Sequence, residues 1–284
     1  MRILRTVSEL RLWSRNERSS GKAVGQMVGL VPTLGALHAG HASLIRAARA
    51  GCAAVAVSIF VNPTQFGPNE DFARYPRTFD ADCALAEAEG ADVIFAPTVD
   101  EIYPSGASTF VDVGSLGERL DGLSRPGHFR GVATVVAKLF IAAEPDRGYF
   151  GQKDAAQVAV LRRMTADLRL ATEIVVCPTI RDPDGLALSS RNIYLSPAER
   201  TQALTLSCAI REIESLASSG QRNSAALIAA AREIFAAEHA IRIDYIALVD
   251  WNTLEPVETA APGALFAVAA HVGATRLIDN TILP

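Results

Sequence analysis

Residues 27–45 have the sequence MVGLVPTLGALHAGHASLI, and this segment decides the fold. Residues 27–32 form a short apolar run that ends in proline, as expected for a buried parallel strand. Residues 40–50 then carry apolar side chains at helical spacing. The segment therefore predicts a strand, a glycine-containing turn and a helix, in that order.

The same alternation of strand-like and helix-like patterns continues along the first two-thirds of the chain. The further predicted strands are residues 53–61, 93–96, 147–150 and 173–177. The predicted helices after the first are residues 80–89, 131–142 and 154–168. This alternation favours right-handed βαβ units around one parallel sheet, with ligands bound beyond the carboxyl ends of the strands. We predict a Rossmann-like α/β fold, a parallel sheet with helices on both faces.

The last third of the chain has a different pattern. Two surface helices are predicted at residues 197–218 and 224–239, and strands follow at residues 243–249, 264–272 and 276–283. This order favours a smaller α+β domain at the C-terminal end. We therefore predict a first domain of residues 1–179 and a second of residues 180–284.

Composition excludes several classes of protein. Of the 284 residues, 49% are apolar and 20% are charged, which is typical of a globular chain. The net charge of −4 and the lack of a basic stripe disfavour a nucleic-acid partner. We find no signal-peptide pattern and no apolar run of membrane-span length, so we expect a cytoplasmic protein without a membrane partner. The cysteines lack metal or disulfide spacing, and we expect buried free thiols (Cys52, Cys83, Cys177 and Cys208).

The turn after the first predicted strand carries His38 and His41, which share one face if the chain is helical there. Imidazoles at a helix N-terminus favour binding of an anion, phosphate especially. The alternatives are a turn with surface histidines, or a metal-binding pair that lacks a third ligand nearby. A P-loop is rejected, because His41 replaces its lysine and Ala42 replaces the hydroxyl residue that binds Mg²⁺.

Polar residues also follow other predicted strands or lie at the domain junction. Amides, basic groups and hydroxyls that could bind a carboxylate or phosphate occur in four segments, residues 58–67, 125–131, 150–157 and 188–192. Each segment has a plain alternative as an ordinary turn or a solvated loop. Asp154 also has a structural alternative, as the cap of the helix that follows it.

Six segments in chain order resemble the motif set of the pantothenate synthetase family. They are PTLGALHAGHASLI (32–45), VSIFVNPTQF (57–66), YPRT (75–78), RPGHFRGV (125–132), FGQKDAAQ (150–157) and SSRNIYL (189–195). The His-Ala-Gly-His sequence within the first segment is similar to the HxGH signature of nucleotidyltransferases. The resemblance implies ATP-dependent ligation of pantoate and β-alanine through a pantoyl-adenylate, with release of AMP and pyrophosphate. It also implies Mg²⁺ with ATP, a homodimer, and a C-terminal domain that acts as a lid.

The resemblance assigns roles to individual residues. It implies His41, designated the proton donor, together with His38, Lys153 and Arg191 as catalytic groups. The ATP site would consist of Pro32, Thr33, Leu34, Gly35, Ala36, Leu37, His38, Ala39, Gly40, His41, Gly151, Gln152, Lys153, Asp154, Ile180, Leu188, Ser189, Ser190 and Arg191. Pantoate and β-alanine would contact Asn62, Gln65, Arg125, His128 and Gln157. Asp82 would reach Mg²⁺ indirectly.

The chain departs from the family pattern at a few positions. Leu34, Thr64 and Leu188 stand where methionine is usual, and Ala39 replaces a frequent acidic residue. The three methionine replacements would alter packing near an apolar wall but remove no charged catalytic group, and Ala39 is expected to change little.

Other functions compete with this one. A nucleotidyltransferase would release a nucleotide-linked product, and a nucleotide-binding regulator would bind ATP without turnover. A ligase of this family would exchange pyrophosphate into ATP in a pantoate-dependent way, which distinguishes it from the nucleotidyltransferase. A regulator would bind ATP but form no AMP with pantoate and β-alanine. The net charge of −4 disfavours an aminoacyl-tRNA synthetase.

Overall fold

The computed structural model describes residues 1–19, 27–68 and 70–284. Its larger part is a six-stranded sheet in which every neighbouring pair is parallel, with the order β1-β4-β3-β2-β5-β6. The strands are β1 (Arg2–Leu4), β2 (Val28–Thr33), β3 (Ala54–Ile59), β4 (Val93–Phe95), β5 (Arg147–Gly151) and β6 (Glu173–Cys177). Apart from β1, these are the strands that the apolar runs predict.

Helices cover both faces of this sheet, as predicted. Those of the first part are α1 (Val7–Ser19), α2 (Ala39–Gly51), α3 (Phe79–Ala88), α4 (Val99–Ile102), α5 (Asp121–Ser124), α6 (His128–Ala143) and α7 (Ala155–Asp167). Buried side chains of α1, α6 and α7 form one apolar core, and those of α2 and α3 form another on the opposite face. The sheet is therefore closed to solvent on both sides, which explains its continuously apolar strands.

The topology fixes where a ligand site can lie. The chain runs outward from the central β2 to β3 and β4 on one side, and then to β5 and β6 on the other. The strand order thus reverses between β2 and β5, and the loops after these two strands diverge and leave a crevice. The loop after β2 leads into α2 through His38, with His41 in the first turn of that helix, and the turn after β5 contains Lys153.

The remaining residues build a second, antiparallel sheet of β7 (Ile241–Val249), β8 (Leu265–Val272) and β9 (Thr275–Ile282). Helices α8 (Pro197–Ser218) and α9 (Ser224–Ala236) pack on it around a separate apolar core. The α+β prediction is therefore confirmed for this part. Four buried residues of β7, β8 and the segment that joins them, however, belong to the core of the larger part (Val249, Leu254, Leu265 and Ala267).

The sequence analysis missed or misplaced several elements. It missed β1 and α1, because three residues give too short a pattern for a strand and the helix is rich in charged side chains. Helix α6 begins at His128, three residues earlier than predicted, and α9 ends at Ala236 and not at residue 239. Asp154 occupies the cap position of α7, but its side chain makes no capping hydrogen bond, so that alternative was wrong.

Two expectations from composition can be compared with the described residues. All four cysteines are free thiols, but Cys83 is half-buried and Cys208 is exposed, so the expectation of buried thiols was wrong for these two. Within residues 1–19, 27–68 and 70–284, no helix has the length and apolar content needed to cross a bilayer.

Candidate active site

A cavity of about 230 Å³ lies at the switch point, beyond the carboxyl ends of β2, β3, β5 and β6. It brings together predicted site residues from all parts of the chain: Pro32, Thr33, Leu34, His38, Gly40, His41, Asn62, Gln65, Arg125, His128, Gly151, Lys153, Asp154, Gln157, Ile180, Leu188, Ser189, Ser190 and Arg191. Six predicted residues do not line it: Gly35, Ala36, Leu37, Ala39, Asp82 and Gln152. The roles of all these residues stay predictions, whereas their placement is structural.

The turn after β2 is held from behind by Asp82. This carboxylate is 2% exposed and accepts hydrogen bonds from the backbone N–H groups of Ala36 (2.9 Å) and Leu37 (2.8 Å). It also accepts one from the Thr78 hydroxyl at 2.9 Å. Gly35 has a φ of 87°, where a side chain would be strained, and a Cβ there would lie 3.0 Å from an Asp82 oxygen. Asp82 therefore shapes the turn, and its indirect contact with Mg²⁺ stays a prediction.

Replacing Asp82 with alanine is expected to lower the free energy of unfolding by roughly 3 kcal/mol, because it leaves buried N–H donors without an acceptor. Urea denaturation followed by circular dichroism measures this loss. Asp80→Ala is the matched control, since Asp80 lies in the same first turn of α3 but is exposed. Equal stability losses in the two variants would contradict the role given to Asp82.

The two histidines share one hydrogen-bonded arrangement at the start of α2. His38 is the residue before the helix, and its Nδ1 accepts a hydrogen bond from the Gly40 N–H at 3.1 Å. The His41 Nδ1 accepts one from the His38 N–H at 3.3 Å, and the ring centroids are 4.2 Å apart. A Cβ at Gly40 would lie 2.8 Å from the His38 ring, so this arrangement requires glycine. Because each Nδ1 is an acceptor, each neutral ring carries its proton on Nε2.

Burial keeps both imidazoles neutral. It lowers the pKa of His41 to about 3, assisted by repulsion from His38 and Lys153. It lowers the pKa of His38 to about 4, again assisted by Lys153. Near neutral pH both rings are therefore hydrogen-bond donors through Nε2 and carry no positive charge.

Stability is expected to fall as the pH is lowered from about 6.5 to 4. In the unfolded chain the pKa of His38 and of His41 is the ordinary imidazole value of 6.5, and both pKa values are lower in the folded chain. The unfolded state then binds more protons in this window, so protonation favours unfolding. Urea denaturation at pH 5 and pH 7 tests the effect, and His41→Gln should show a smaller decrease because one titrating group is gone. An identical decrease in both proteins would contradict the assignment.

Arg191 is held against the segment of residues 70–75. Its Nε and Nη2 both donate to the Asp71 carboxylate at 2.9 Å, and its guanidinium lies 5.7 Å from the Tyr75 ring centroid. The hydroxyls of Ser190 and Tyr75 are hydrogen-bonded at 3.1 Å. The predicted phosphate loop is thus docked onto the first part of the chain by a planar, bidentate ion pair.

A second ion pair organises the neighbouring basic cluster. The Arg125 Nε and Nη2 donate to the two carboxylate oxygens of Glu70, the first at 2.8 Å and the second at 2.5 Å. His128 contacts Arg125 through Nε2 at 3.0 Å and the carbonyl of Gln65 through Nδ1 at 2.8 Å. Burial, with help from Arg125, lowers the pKa of His128 to about 4. This neutral ring therefore positions the backbone of Gln65.

Asn62 is buried, and its carboxamide is used by the protein itself. Its Nδ2 donates to Gln65 Oε1 at 3.1 Å and to the Gly131 carbonyl at 3.2 Å. Its Oδ1 accepts hydrogen bonds from the hydroxyls of Tyr103 at 2.9 Å and Thr64 at 3.0 Å. Asn62 thus orients the Gln65 side chain, which belongs to the cavity lining.

The turn that carries Lys153 is tied to the second sheet. The backbone carbonyls of Gln152 and Lys153 accept hydrogen bonds from Asn280 Nδ2 at 3.0 and 2.7 Å. The ammonium of Lys153 lies 3.7 Å from an Asp154 oxygen. Strand β9 therefore contributes to the position of Lys153, although Asn280 was not predicted as a functional residue.

One wall of the cavity is apolar, and sequence analysis did not identify it. It consists of α6 side chains and the aromatic rings that end β3 and β5 (Phe60, Val132, Val135, Val136, Leu139 and Phe150). The cavity also includes Leu44, Ser58, Tyr75, Pro178 and Thr179, which were not predicted either. The continuous apolar pattern of α6 was the sequence signal for this wall, but a helix buried in the core gives the same pattern. A ligand here would need a polar end and a compact apolar part.

Carboxylates available for a metal are few in this region. In the described part of the chain, no group of three or more His, Cys, Asp or Glu side chains could hold a metal ion. Mg²⁺ that arrives with ATP needs no such cage, because it keeps several waters and binds phosphate oxygens. Asp154 is a carboxylate of the cavity lining, and its side chain is 48% exposed, so it could bind a water or a phosphate-bound ion.

Comparison with known proteins identifies close relatives over the full chain. The family model described as pantoate-beta-alanine ligase matches residues 2–282. A protein named pantothenate synthetase from Acidobacterium capsulatum is 58% identical over 290 residues, covering 100% of this chain and 97% of the relative. The crystal structure of pantothenate synthetase from Thermus thermophilus has a TM-score of 0.92 and 45% identity, with 100% of both chains covered.

A further solved structure contains ligands. Pantoate-beta-alanine ligase from Francisella tularensis, in complex with β-γ ATP and β-alanine, has a TM-score of 0.79 and 33% identity. The match covers 99% of this chain and 97% of the other. The fold described above is thus similar to that of solved structures from two organisms.

Proposed function

The chain belongs to the pantoate-beta-alanine ligase family, and on this basis we propose that it uses ATP to convert pantoate to a pantoyl-adenylate and transfers the pantoyl group to β-alanine. AMP and pyrophosphate are the other products. The observation that carries the proposal is the convergence of His38, His41, Lys153 and Arg191 on one cavity that also has an apolar wall. Polar donors suit the triphosphate and reacting carboxylate, and the wall suits the branched carbon of pantoate.

In the first step the pantoate carboxylate attacks the α-phosphorus of ATP, and pyrophosphate leaves. A carboxylate is already ionised at neutral pH, so the step needs no general base. The protein contributes orientation of the two reactants and stabilisation of the charge on the phosphate oxygens. His38 and His41 donate hydrogen bonds from Nε2, and Lys153 supplies positive charge.

Arg191 and Ser190 contribute to the same phosphate site. Asp71 binds one edge of the Arg191 guanidinium, and Nη1 is not part of that pair. We propose that Asp71 orients Arg191 so that Nη1 faces the triphosphate, with Ser189 and Ser190 as additional donors. Backbone groups of Ile180 and Gly151 bind the nucleoside part of ATP.

Gln65 and Gln157 bind the polar groups of pantoate, and Gln65 also contacts β-alanine. Asn62, Arg125 and His128 were predicted as direct ligands, but most of their polar atoms already bind protein groups. We therefore propose that these three residues position Gln65 and the cavity wall. The substrate site therefore stays where it was predicted, but Asn62, Arg125 and His128 support it and do not bind the substrate directly.

In the second step the amine of β-alanine attacks the acyl carbon, and AMP is released. No enzyme nucleophile is required. The adenylate must be protected from water, and we propose that the loop of residues 189–192 and the second domain, residues 180–284, act as the cover. The apolar core shared with β7 and β8 restricts the movement of the whole domain, so the loop is the better candidate for closure.

The remaining features of the proposal follow from the family. Mg²⁺ would enter with ATP and would neutralise phosphate charge, and Asp154, a carboxylate of the cavity lining, would be the residue that helps to hold it. The enzyme works in the cytoplasm as a homodimer. Its substrates are ATP, pantoate and β-alanine, without a nucleic-acid or membrane partner.

An assay with each substrate omitted in turn tests the proposed function. AMP and pantothenate should form in equal amounts only when ATP, Mg²⁺, pantoate and β-alanine are all present. Formation of AMP without β-alanine at more than a trace rate would contradict protection of the adenylate. A nucleotide-linked final product would contradict ligase activity.

A further inference from the structure

Ser58 carries a hydroxyl that the fold does not use. The residue is 1% exposed, and its Oγ has no hydrogen-bond partner. Among the described residues, the other side-chain hydroxyls that are buried without a partner are Thr165 and Thr179. A buried hydroxyl without a partner loses its hydrogen bonds to water, which costs free energy, so each such group calls for an explanation.

The surroundings of Ser58 explain why the fold leaves this hydroxyl without a partner. Ser58 lies opposite Pro32 in the parallel ladder between β2 and β3, and the proline side chain has no polar atom that could pair with the hydroxyl. The backbone carbonyl of Ser58 already accepts a hydrogen bond from the Thr33 hydroxyl at 2.6 Å. The Thr33 hydroxyl in turn accepts one from the Gly35 N–H at 3.2 Å. The Thr33 hydroxyl thus forms hydrogen bonds that hold the turn, whereas the Ser58 hydroxyl forms none.

The Ser58 side chain belongs to the cavity lining. Side chains alternate along a strand, and Ala56 and Phe60 pack in the core on the α6 side of the sheet, so Ser58 faces that side too. There it lines the cavity together with Val132 and Val136 of α6. The Ser58 hydroxyl is therefore a polar atom next to the apolar wall of the cavity.

This arrangement fits a substrate that combines hydroxyl groups with a branched apolar carbon. Pantoate has this chemistry: a dimethyl-substituted carbon lies between two carbons that each bear a hydroxyl. With the carboxylate directed to Lys153 and His41 for reaction, the methyl groups lie toward the valines of α6. We propose that the Ser58 hydroxyl forms a hydrogen bond with one hydroxyl of pantoate and so contributes to selection of this acid. The inference rests on the proposed function and adds a specificity-determining residue to it.

Ser58→Ala tests the inference, with Thr165→Val as the matched control. Thr165 also carries a buried hydroxyl without a partner, but it lies on α7 outside the cavity. Ser58→Ala should raise KM for pantoate roughly three- to tenfold, the effect of one neutral hydrogen bond, and leave KM for ATP unchanged. Its melting temperature without substrates should be unchanged or higher, because an unsatisfied group is removed. Thr165→Val should keep wild-type kinetics.

Two deoxy analogues of pantoate make the test specific to the hydroxyl contact. Wild type and Ser58→Ala are each compared on pantoate, on the acid without the hydroxyl next to the carboxylate, and on the acid without the terminal hydroxyl. The mutation should lower kcat/KM for pantoate and leave it unchanged for one of the two analogues, since the contact is already lost there. Equal losses on all three acids, or no loss on pantoate, would overturn the inference. Failure of the wild type to use pantoate at all would instead overturn the proposed function.

Discussion

Replacing His41 with alanine is expected to lower the rate of pantoate-dependent AMP formation about 100- to 1,000-fold, the usual effect of removing one preorganised donor. The reason is the position of its Nε2, which carries the proton because Nδ1 accepts from the His38 N–H. Burial lowers the pKa of this ring to about 3, so it stabilises the phosphate as a neutral donor. A neutral donor does not titrate near pH 7, and the effect should be the same at pH 6.5 and pH 8.

Two further variants separate the donor from other roles of His41. Glutamine at this position keeps an N–H donor, so His41→Gln should recover part of the lost rate. His239→Ala is a control for loss of a histidine as such, because His239 is exposed and lies after α9. Circular dichroism and the melting temperature establish that each variant is folded. Activity of folded His41→Ala within threefold of wild type would contradict the role of this ring.

Replacing Lys153 with methionine is expected to lower kcat at saturating ATP about 100-fold, with a further increase in KM for ATP. Methionine preserves much of the length of the side chain and removes the charge together with the N–H donors of the ammonium. Asn280 donates a hydrogen bond to the Lys153 carbonyl at 2.7 Å, which fixes the backbone from which the ammonium extends into the cavity lining. A cation that balances charge formed in the transition state affects kcat, and one that only binds ATP affects KM.

Lys153→Arg is the matched variant for the charge. It keeps the positive charge with a different geometry, and it should fall between wild type and Lys153→Met. Steady-state rates of AMP formation over a range of ATP concentrations give both parameters. An increase in KM with unchanged kcat in Lys153→Met would show that the residue binds ATP equally in the ground and transition states, contrary to our account.

The sequence predicted the central architecture because its signals are local. Strands β3 and β6 are short apolar runs, and the turn of residues 33–38 has the glycine that a positive φ requires. The cavity residues from several separate segments also meet as expected at the switch point. The strand and turn signals depend on patterns within about a dozen residues, which a single sequence displays, and the meeting of the segments follows from the order of strands and helices.

The acidic partners of the two arginines could not be predicted in this way. Asp71 and Arg191 are 120 positions apart in the chain, and Glu70 and Arg125 are 55 apart. A carboxylate in a loop gives no periodic signal, and only the folded chain shows which cation it meets. For the same reason Asn62 was expected to bind substrate, although in the folded chain its amide binds Gln65 and the Gly131 carbonyl.

The most direct test of the central claim is exchange of labelled pyrophosphate into ATP, measured with pantoate and Mg²⁺ but without β-alanine. If pantoate is activated as an adenylate in the cavity between β2 and β5, exchange should occur, should require pantoate, and should be strongly reduced in His41→Ala and Lys153→Met. Pantothenate formation by an enzyme that shows no such exchange would contradict the adenylate route and the roles given to these residues.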